Sequence, residues 1–148
     1  MFKYPKILVI AIGLIGLATA AIAGDFDGSS PLSGTIGKVI EINRYRIADD
    51  VDPDTVGLPK NFLIDFKAKV IHPSKDSLVR RTISINRVAF VENKTVIQGV
   101  DEGVEGVEDG LAWSLTISKK DGSAVLSASG HGVAYVVFGA CRPIKGNP

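Results

Sequence analysis

The chain alternates apolar and polar residues with a period of two over long stretches beyond residue 23, and this alternation limits the folds open to it. Over residues 62–70 every second residue is apolar, in the segment FLIDFKAKV, and residues 111–118 alternate in the same way. A period of two places an apolar row on one side of a strand and a polar row on the other. No window in this part of the chain has the apolar spacing of a helix, so the sequence predicts a half-buried β-sheet.

Turn signals between the apolar stretches indicate an antiparallel arrangement. Residues 120–122 predict a hairpin turn, because Gly122 can adopt the positive φ that tight turns require. Residues 48–60 and 99–110 are rich in glycine, proline or acids and are predicted loops. Strands are predicted at 35–46, 62–70, 81–91, 95–98, 111–118, 123–129 and 133–140, with Gly37 a candidate bulge. About seven strands with frequent turns predict an all-β fold, an antiparallel sandwich or small barrel preceded by a cleaved signal peptide.

The first 23 residues have the three-part layout of a secretory signal peptide. Lys3 and Lys6 precede an apolar run of 17 residues, 7–23, which ends in the small-residue pattern Ala-Ile-Ala. A retained membrane anchor is the alternative, but a run of this length is at the lower limit for spanning a bilayer. We therefore predict cleavage after Ala23, a periplasmic or secreted protein, and no stable membrane span after cleavage.

The remaining chain is long enough for one domain but not for a second core. We predict a flexible N-terminal segment at 24–33, a single all-β domain at 34–144 and a C-terminal tail at 145–148. The chain has 17 Lys and Arg against 16 Asp and Glu. A net charge this close to zero argues against nucleic acid as a partner.

Cys141 and the stretch before it raise the question of self-association. A single cysteine excludes an internal disulfide framework, so Cys141 is either a small buried hydrophobe or the site of a disulfide to a second copy. Residues 133–140 are apolar on both faces of a predicted strand, which predicts either a covered central strand or an oligomer interface. A homo-oligomer formed through 133–140 or through Cys141 is therefore one expectation.

Large aromatic residues on the predicted strands are candidates to line a ligand site. Phe62, Phe66, Trp113 and Tyr135 would face the interior of a barrel or sandwich, where they either fill the core or surround a small apolar ligand. His131 stands between two glycines at a strand junction, which permits either a sharp bend or a close approach to a ligand. These five residues are the predicted ligand-binding set.

Three aspartates in the loop 48–60 suggest a metal site. Asp50, Asp52 and Asp54 have the alternate spacing that opens a calcium loop, because Ca²⁺ takes six to eight oxygen ligands. Thr55 stands where such a loop has its glycine, and Asn61 stands where a bidentate Glu would close it. The alternative is a solvated acidic loop, and calcium is the only cofactor that the sequence suggests.

Three functions remain open from the sequence. The first is an exported β-domain that acts as a binding module for a small apolar ligand or a partner protein. The second is a structural or self-assembling surface protein that uses the 133–140 strand. The third is a hydrolase or lyase using His131, but the residues show no nucleophile elbow, zinc-binding helix or phosphate loop. No catalytic residue is assigned, and a non-enzymatic role is favoured.

Overall fold

The computed structural model describes residues 23–145, which form ten strands and two short 3-10 turns. The strands are β1 Leu32–Asn43, β2 Ile47–Ala48, β3 Asn61–Asp65, β4 Val70–Pro73, β5 Ile83–Ser84, β6 Arg87–Val91, β7 Lys94–Asp101, β8 Leu111–Ser118, β9 Ser123–Gly130 and β10 Val133–Pro143. The 3-10 turns are Ala23–Phe26 and Pro53–Val56. Residues 1–22 of the predicted signal peptide and residues 146–148 of the predicted tail lie outside the described residues. No helix in the described range is long and apolar enough to cross a membrane.

All strand pairs in the described residues are antiparallel, and they belong to one sheet. The strand order is β5-β4-β3-β1-β10-β9-β8-β7-β6, and the short β2 folds back onto β1. The predicted all-β, antiparallel class is therefore confirmed. The strand count is ten rather than about seven, because two predicted strands are each divided by a turn or bend and β2 was not predicted.

The sheet curls into a half-barrel, and the two strands at its ends follow one another in the chain. Residues 85 and 86 connect β5 at one end with β6 at the other. The amide of Ile85 donates to the Lys69 carbonyl beside β4, and the amide of Asn86 donates to the Gln98 carbonyl on β7, both at 2.9 Å. The Asn86 side-chain oxygen also accepts a hydrogen bond from the Val100 amide at 3.0 Å. This junction holds the two ends of the sheet together.

The inner face of the sheet carries the core. In β8 the residues that point inward are Trp113, Leu115 and Ile117, which are 7%, 2% and 0% exposed. The predicted hairpin that follows is confirmed, with β9 beginning at Ser123 and Gly122 at a φ of 73°. These side chains share the core with Ile97 on the neighbouring strand β7, with Ile85 at the β5–β6 junction, and with Leu32, Ile64 and Ile71 on β1, β3 and β4.

The predicted strand 62–70 is wrong in its extent. The strand β3 ends at Asp65, residues 66–69 turn, and β4 begins at Val70. The Asp65 carboxylate accepts a hydrogen bond from the Ala68 amide at 2.8 Å, and Lys69 has a φ of 55°. A short polar side chain that bonds to the backbone ahead of it favours a turn over a continued strand. The alternation of apolar and polar residues continues through residues 66–69, so the sequence pattern predicts a continuous strand where the chain turns.

The predicted loop 99–110 also begins too early. The strand β7 continues to Asp101, so Gly99 is a strand residue that pairs with Trp113 on β8. A glycine in a strand marks a place where another group comes close, and here that group is the indole ring. The predicted bulge at Gly37 is confirmed by a register shift between Ile36 and Lys38 in the β1–β10 pair.

The strand β10 occupies the middle of the sheet, between β1 and β9, and extends to Pro143. Its inner face enters the core, whereas Phe138 on its outer face is 42% exposed. Cys141 is 1% exposed, and burial raises the pKa of its thiol to about 12. The structure therefore shows Cys141 as a small buried core residue, and a disulfide to a second copy would require β10 to open.

Phe26 joins the core from outside the sheet. The segment 24–33, which the sequence predicts to be loose, places Phe26 at 2% exposure, and its carbonyl accepts a hydrogen bond from the fully buried Thr95 hydroxyl. The phenyl ring lies near Gly122 at the β8–β9 turn. Phe26 therefore covers one end of the curled sheet.

Candidate functional site

An apolar pocket lies on the inner face of the curled sheet, beneath the loop that precedes β3. Its volume is about 70 Å³, and a second void of about 30 Å³ adjoins it and shares Leu58, Phe62 and Leu115 with it. The walls come from β1, β3, β4, β5, β8 and β9, and apolar side chains make up nearly all of the lining, among them Ile36, Ile71, Ile83, Leu111, Leu115 and Leu126. An apolar concavity with few polar groups is the usual form of a small-molecule site.

Two aromatic rings line the pocket, and each lies over a glycine of the neighbouring strand. Phe62 on β3 is the cross-strand partner of Gly34 on β1, and Trp113 on β8 is the partner of Gly99 on β7. A Cβ added to Gly34 would come within 2.2 Å of the Phe62 ring, and one added to Gly99 would come within 2.4 Å of the indole. The missing side chains therefore leave the space that the two rings occupy.

The loop between β2 and β3 closes the pocket from one side. Leu58 is half-buried and Pro59 is buried, and both contribute to the lining. The loop is held by backbone hydrogen bonds from the Leu58 amide to the Pro53 carbonyl at 2.9 Å and from the Ile36 amide to the Lys60 carbonyl at 2.8 Å. Because these bonds lie within the loop and at its end, Leu58 and Pro59 form a cover over the pocket.

The Lys60 side chain ties the same cover together at its surface. Its ammonium group lies 3.2 Å from the Asp54 carboxylate and 3.3 Å from the Asp52 carboxylate. Hydrogen bonds to Asp54 and then to Asp52 raise the pKa of Lys60 above its ordinary value. All three groups are solvent-accessible, and exposed ion pairs contribute little to stability. The loop is held to β1 by backbone hydrogen bonds, which include one from the Val51 amide to the Val39 carbonyl at 3.0 Å.

Among the described residues that line the pocket, Asp101 is the one with a charged side chain. Its carboxylate lies 2.6 Å from the Arg81 guanidinium and accepts a hydrogen bond from the Gly103 amide at 3.0 Å. Only 12% of the side chain is exposed. The pocket therefore combines apolar walls with one ion-paired carboxylate.

The indole N–H of Trp113 is buried and has no hydrogen-bond partner among the described residues. Buried donors without an acceptor are rare in native proteins, because losing water without replacement costs about 1–3 kcal/mol. The Trp113 atom Cε2, which is bonded to Nε1, is among the ring atoms nearest to Gly99. The ring that carries this donor therefore lies against β7, the strand that also carries Asp101.

The structure brings two of the five predicted ligand-binding residues into this pocket, Phe62 and Trp113. Phe66 lies in the turn after β3, where it packs against the edge of the core and near Gly28. Tyr135 and His131 lie at the β9–β10 end of the sheet, where they border a separate shallow depression. The ligand-binding set predicted from the sequence is thus divided among three places.

His131 occupies an exposed turn beside that depression. It has a φ of 45° and Gly132 has a φ of 78°, so together they form the tight connection between β9 and β10. The His131 ring nitrogen Nδ1 lies 3.5 Å from the Glu108 carboxylate, with 65% of the histidine side chain exposed. The glycines around His131 therefore serve a sharp bend.

Tyr135 borders the same depression. Burial, and secondarily the charge of Glu41, raises the pKa of Tyr135.

The three aspartates predicted as calcium ligands do not form a cluster. Asp52 caps the 3-10 turn Pro53–Val56 by accepting a hydrogen bond from the Asp54 amide, and both carboxylates pair with Lys60. In the part of the chain that the structure describes, no three His, Cys, Asp or Glu residues are grouped so as to hold a metal ion. The spacing of the aspartates serves the turn that carries the cover of the pocket.

The sequence did not identify the residues that cover the pocket, nor the charged residue and the glycine that distinguish its lining. The sequence predicts that Leu58 and Pro59 lie in the loop 48–60 and that Gly99 and Asp101 lie in the loop 99–110. A signal for the first pair was present, because Leu58 and Pro59 are two adjacent apolar residues in a loop, between Gly57 and Lys60. Nothing in the sequence around Asp101 distinguishes it from the other acids of its loop.

Comparison of the chain with protein family models, with curated proteins and with solved structures gives no match in any of the three. The chemistry of the pocket is therefore the basis for a functional proposal.

Proposed function

We propose that this protein is an exported binding module that holds a small apolar ligand in the interior pocket. The observation that carries the proposal is the pocket itself, an apolar space between Phe62 and Trp113 in a sheet whose inner face is otherwise close-packed. Interiors of small domains contain few voids larger than a water molecule. A void shaped by two glycine–aromatic pairs is therefore a feature that needs an explanation, and a ligand supplies one.

The volume of the pocket limits what it can hold at rest. About 70 Å³ is roughly half of the 150 Å³ apolar cavity that is known to accept benzene. A ring-sized ligand would therefore require Leu58 and Pro59 to move outward. Their loop is the part of the lining that lies outside the sheet, and two backbone hydrogen bonds join it to β1, at Lys60 and at Val51. We expect ligand entry to occur through movement of this cover.

Toluene binding, measured with and without Leu58, tests the proposal. Trp113 is the only tryptophan of the chain, so its fluorescence and its single indole NMR cross-peak report directly on the pocket. The change Leu58→Ala removes three carbon atoms from the cover, and we expect it to tighten toluene binding at least about fivefold, because an apolar cavity gains room for apolar contacts.

The matched control is Leu78→Ala, at a leucine that is 79% exposed and outside the pocket. This variant should bind toluene as the unaltered protein does. Failure of millimolar toluene to move the Trp113 signals of either the unaltered protein or Leu58→Ala would reject a ligand-binding interior.

A second candidate function, self-assembly through β10, is favoured by a separate observation. The outer faces of β8, β9 and β10 carry one charged residue, Arg142 near the end of β10, and their other members are Ala112, Ser114, Thr116, Ser118, Ser123, Val125, Ser127, Ser129, Ala134, Val136, Phe138 and Ala140. Phe138 lies opposite Val125, and each is 42% exposed. Exposed apolar sheet faces of this kind occur at protein–protein interfaces.

Sizing of the protein over a range of concentrations tests this second function. Self-assembly predicts an oligomer that Phe138→Lys converts to a monomer, because a buried unpaired charge disfavours association. The control Val104→Lys alters an apolar residue that is 56% exposed in the loop after β7 and should leave the oligomer intact. A monomer at every concentration would reject self-assembly through this face.

A further inference from the structure

We propose that the ligand of the interior pocket is a neutral apolar molecule that carries one hydroxyl group, held between the Asp101 carboxylate and the Trp113 indole N–H. This inference rests on the proposed ligand-binding function. It assigns to the pocket a polar anchor point in addition to its apolar walls.

Asp101 supplies an acceptor with unused capacity. A carboxylate offers about four lone-pair positions, and the contacts described for Asp101 are those with Arg81 at 2.6 Å and with the Gly103 amide at 3.0 Å. The side chain lines the pocket and is 12% exposed. A ligand group that donates a hydrogen bond could therefore be accepted here without breaking the pair with Arg81.

Trp113 supplies a donor that lacks an acceptor among the described residues. Its ring lies over Gly99, and Asp101 is two residues further along β7, on the same inner face. Asp101 is paired with Leu111, the inward-facing residue next to Trp113 on β8. The unsatisfied donor and the carboxylate therefore belong to adjacent positions of one strand pair.

A hydroxyl group matches this combination because it donates one hydrogen bond and accepts others at a single atom. Its hydrogen would go to Asp101, and its oxygen would accept the indole N–H. The ion pair with Arg81 leaves little net charge at this end of the pocket. A ligand carboxylate would face the Asp101 carboxylate, and a ligand ammonium group would meet a carboxylate that is already paired with Arg81 in an otherwise apolar lining, so both charged classes are disfavoured.

Phenol and toluene form the matched probe pair, since they differ by a hydroxyl in place of a methyl group. An entirely apolar pocket should prefer toluene, because the phenol hydroxyl would lose its hydrogen bonds with water. We expect the opposite order, with phenol binding at least about tenfold more tightly. We also expect phenol, but not toluene, to move the indole N–H cross-peak downfield, as a new hydrogen bond to that proton would.

Two substitutions locate the anchor, and calorimetry measures binding in each. Asp101→Asn weakens the acceptor and should reduce the ratio of phenol affinity to toluene affinity several-fold. The control Glu105→Gln changes an exposed acid in the loop that follows Asp101 and should leave the preference for phenol intact. Trp113→Phe removes the donor without touching the Asp101–Arg81 pair and should also reduce the preference, which keeps the proposal testable if Asp101→Asn disturbs the loop.

The outcomes separate this inference from the function on which it depends. Equal or tighter binding of toluene, with both probes bound, would overturn the hydroxyl anchor and leave the apolar binding site in place. A preference for phenol that survives Asp101→Asn would remove Asp101 from the anchor. Absence of binding by both probes, including in Leu58→Ala, would overturn the proposed function and the inference together.

Discussion

Gly34 and Gly99 shape the interior of this protein through the side chains that they lack. Each lies in the middle of a strand, where glycine is intrinsically unfavourable because it loses more backbone entropy than other residues. Each is covered by an aromatic ring from its cross-strand partner, Phe62 or Trp113. The two rings in turn form opposite parts of the pocket lining, so the position of the pocket depends on the two glycines.

The substitution Gly99→Ala tests this dependence. The new methyl group would lie 2.4 Å from the indole and 2.6 Å from the Ser84 carbonyl oxygen, so Trp113 must move or the strands must separate. We expect a loss of about 1–3 kcal/mol in the free energy of unfolding, as is usual for overpacked interiors, together with a changed Trp113 emission spectrum. Urea unfolding and fluorescence measure the two effects.

Gly37→Ala is the control for that experiment. The nearest atom to its added methyl group is the Phe138 carbonyl oxygen at 3.6 Å, an ordinary contact distance. Its stability should remain within about 0.5 kcal/mol of the unaltered protein, as is usual for surface changes. A Gly99→Ala protein as stable as Gly37→Ala, with the same emission spectrum as the unaltered protein, would show that the ring is not held against Gly99.

At the residue scale the sequence predicted the inward side chains better than it predicted the site. The alternation in 111–118 places Trp113 on the apolar row, and the structure buries it. Tyr135 lies on the correct face of β10 but borders a different depression from Trp113. The alternation of apolar and polar residues shows which side chains point inward. It does not show which of them surround a void, because that depends on how strands distant in the chain pack together.

Among the elements, the junction between β5 and β6 has the largest effect on the shape of the sheet. Its two residues bond to the neighbourhood of β4 on one side and to β7 on the other. The Asn86 side chain adds a third connection by accepting a hydrogen bond from the Val100 amide. Without this junction the two end strands would be free edges, which invite pairing with other chains.

The substitution Asn86→Ala is expected to loosen the junction. It removes the acceptor of the Val100 amide, so we expect a loss of about 0.5–1.5 kcal/mol in the free energy of unfolding and faster hydrogen exchange at the amides of Val100 and Ile85. The control Asn93→Ala changes an exposed turn residue between β6 and β7. Unchanged exchange at Val100 in Asn86→Ala would contradict the role given to this side chain.

The elements that sequence reasoning located correctly are those with local signals. The β8–β9 hairpin has clear alternation on both sides of a turn that contains Gly122, and its bounds match the prediction closely. The β3–β4 turn has no glycine or proline at residues 66–69, and its apolar spacing continues through it. Only the Asp65 side chain marks it, and an aspartate at that position also suits the polar face of a strand.

For the molecule as a whole, the strands follow one another around the sheet nearly in chain order. From β3 to β4 and from β7 through β10, each strand pairs with the next one in sequence, and residues 85–86 join β5 to β6. Frequent turns made this antiparallel arrangement predictable. The pairing of β1 with β10 was not predictable, because it joins the first and last strands and no turn connects them.

The pairing of β1 with β10 also determines the order in which the sheet can be completed. Leu32 lies opposite Pro143 and Asn43 opposite Val133, so one long edge of β1 waits for the last strand to be synthesised. Long-range pairings of this kind slow folding, and an apolar edge that stays open is exposed to aggregation in the meantime. The same proximity brings the two ends of the domain together, the arrangement that tolerates circular permutation best. A permuted chain that joins residue 145 to residue 24 through a flexible linker, which keeps Phe26, and begins at β7 would make the slow contact a more local one and so complete the sheet sooner.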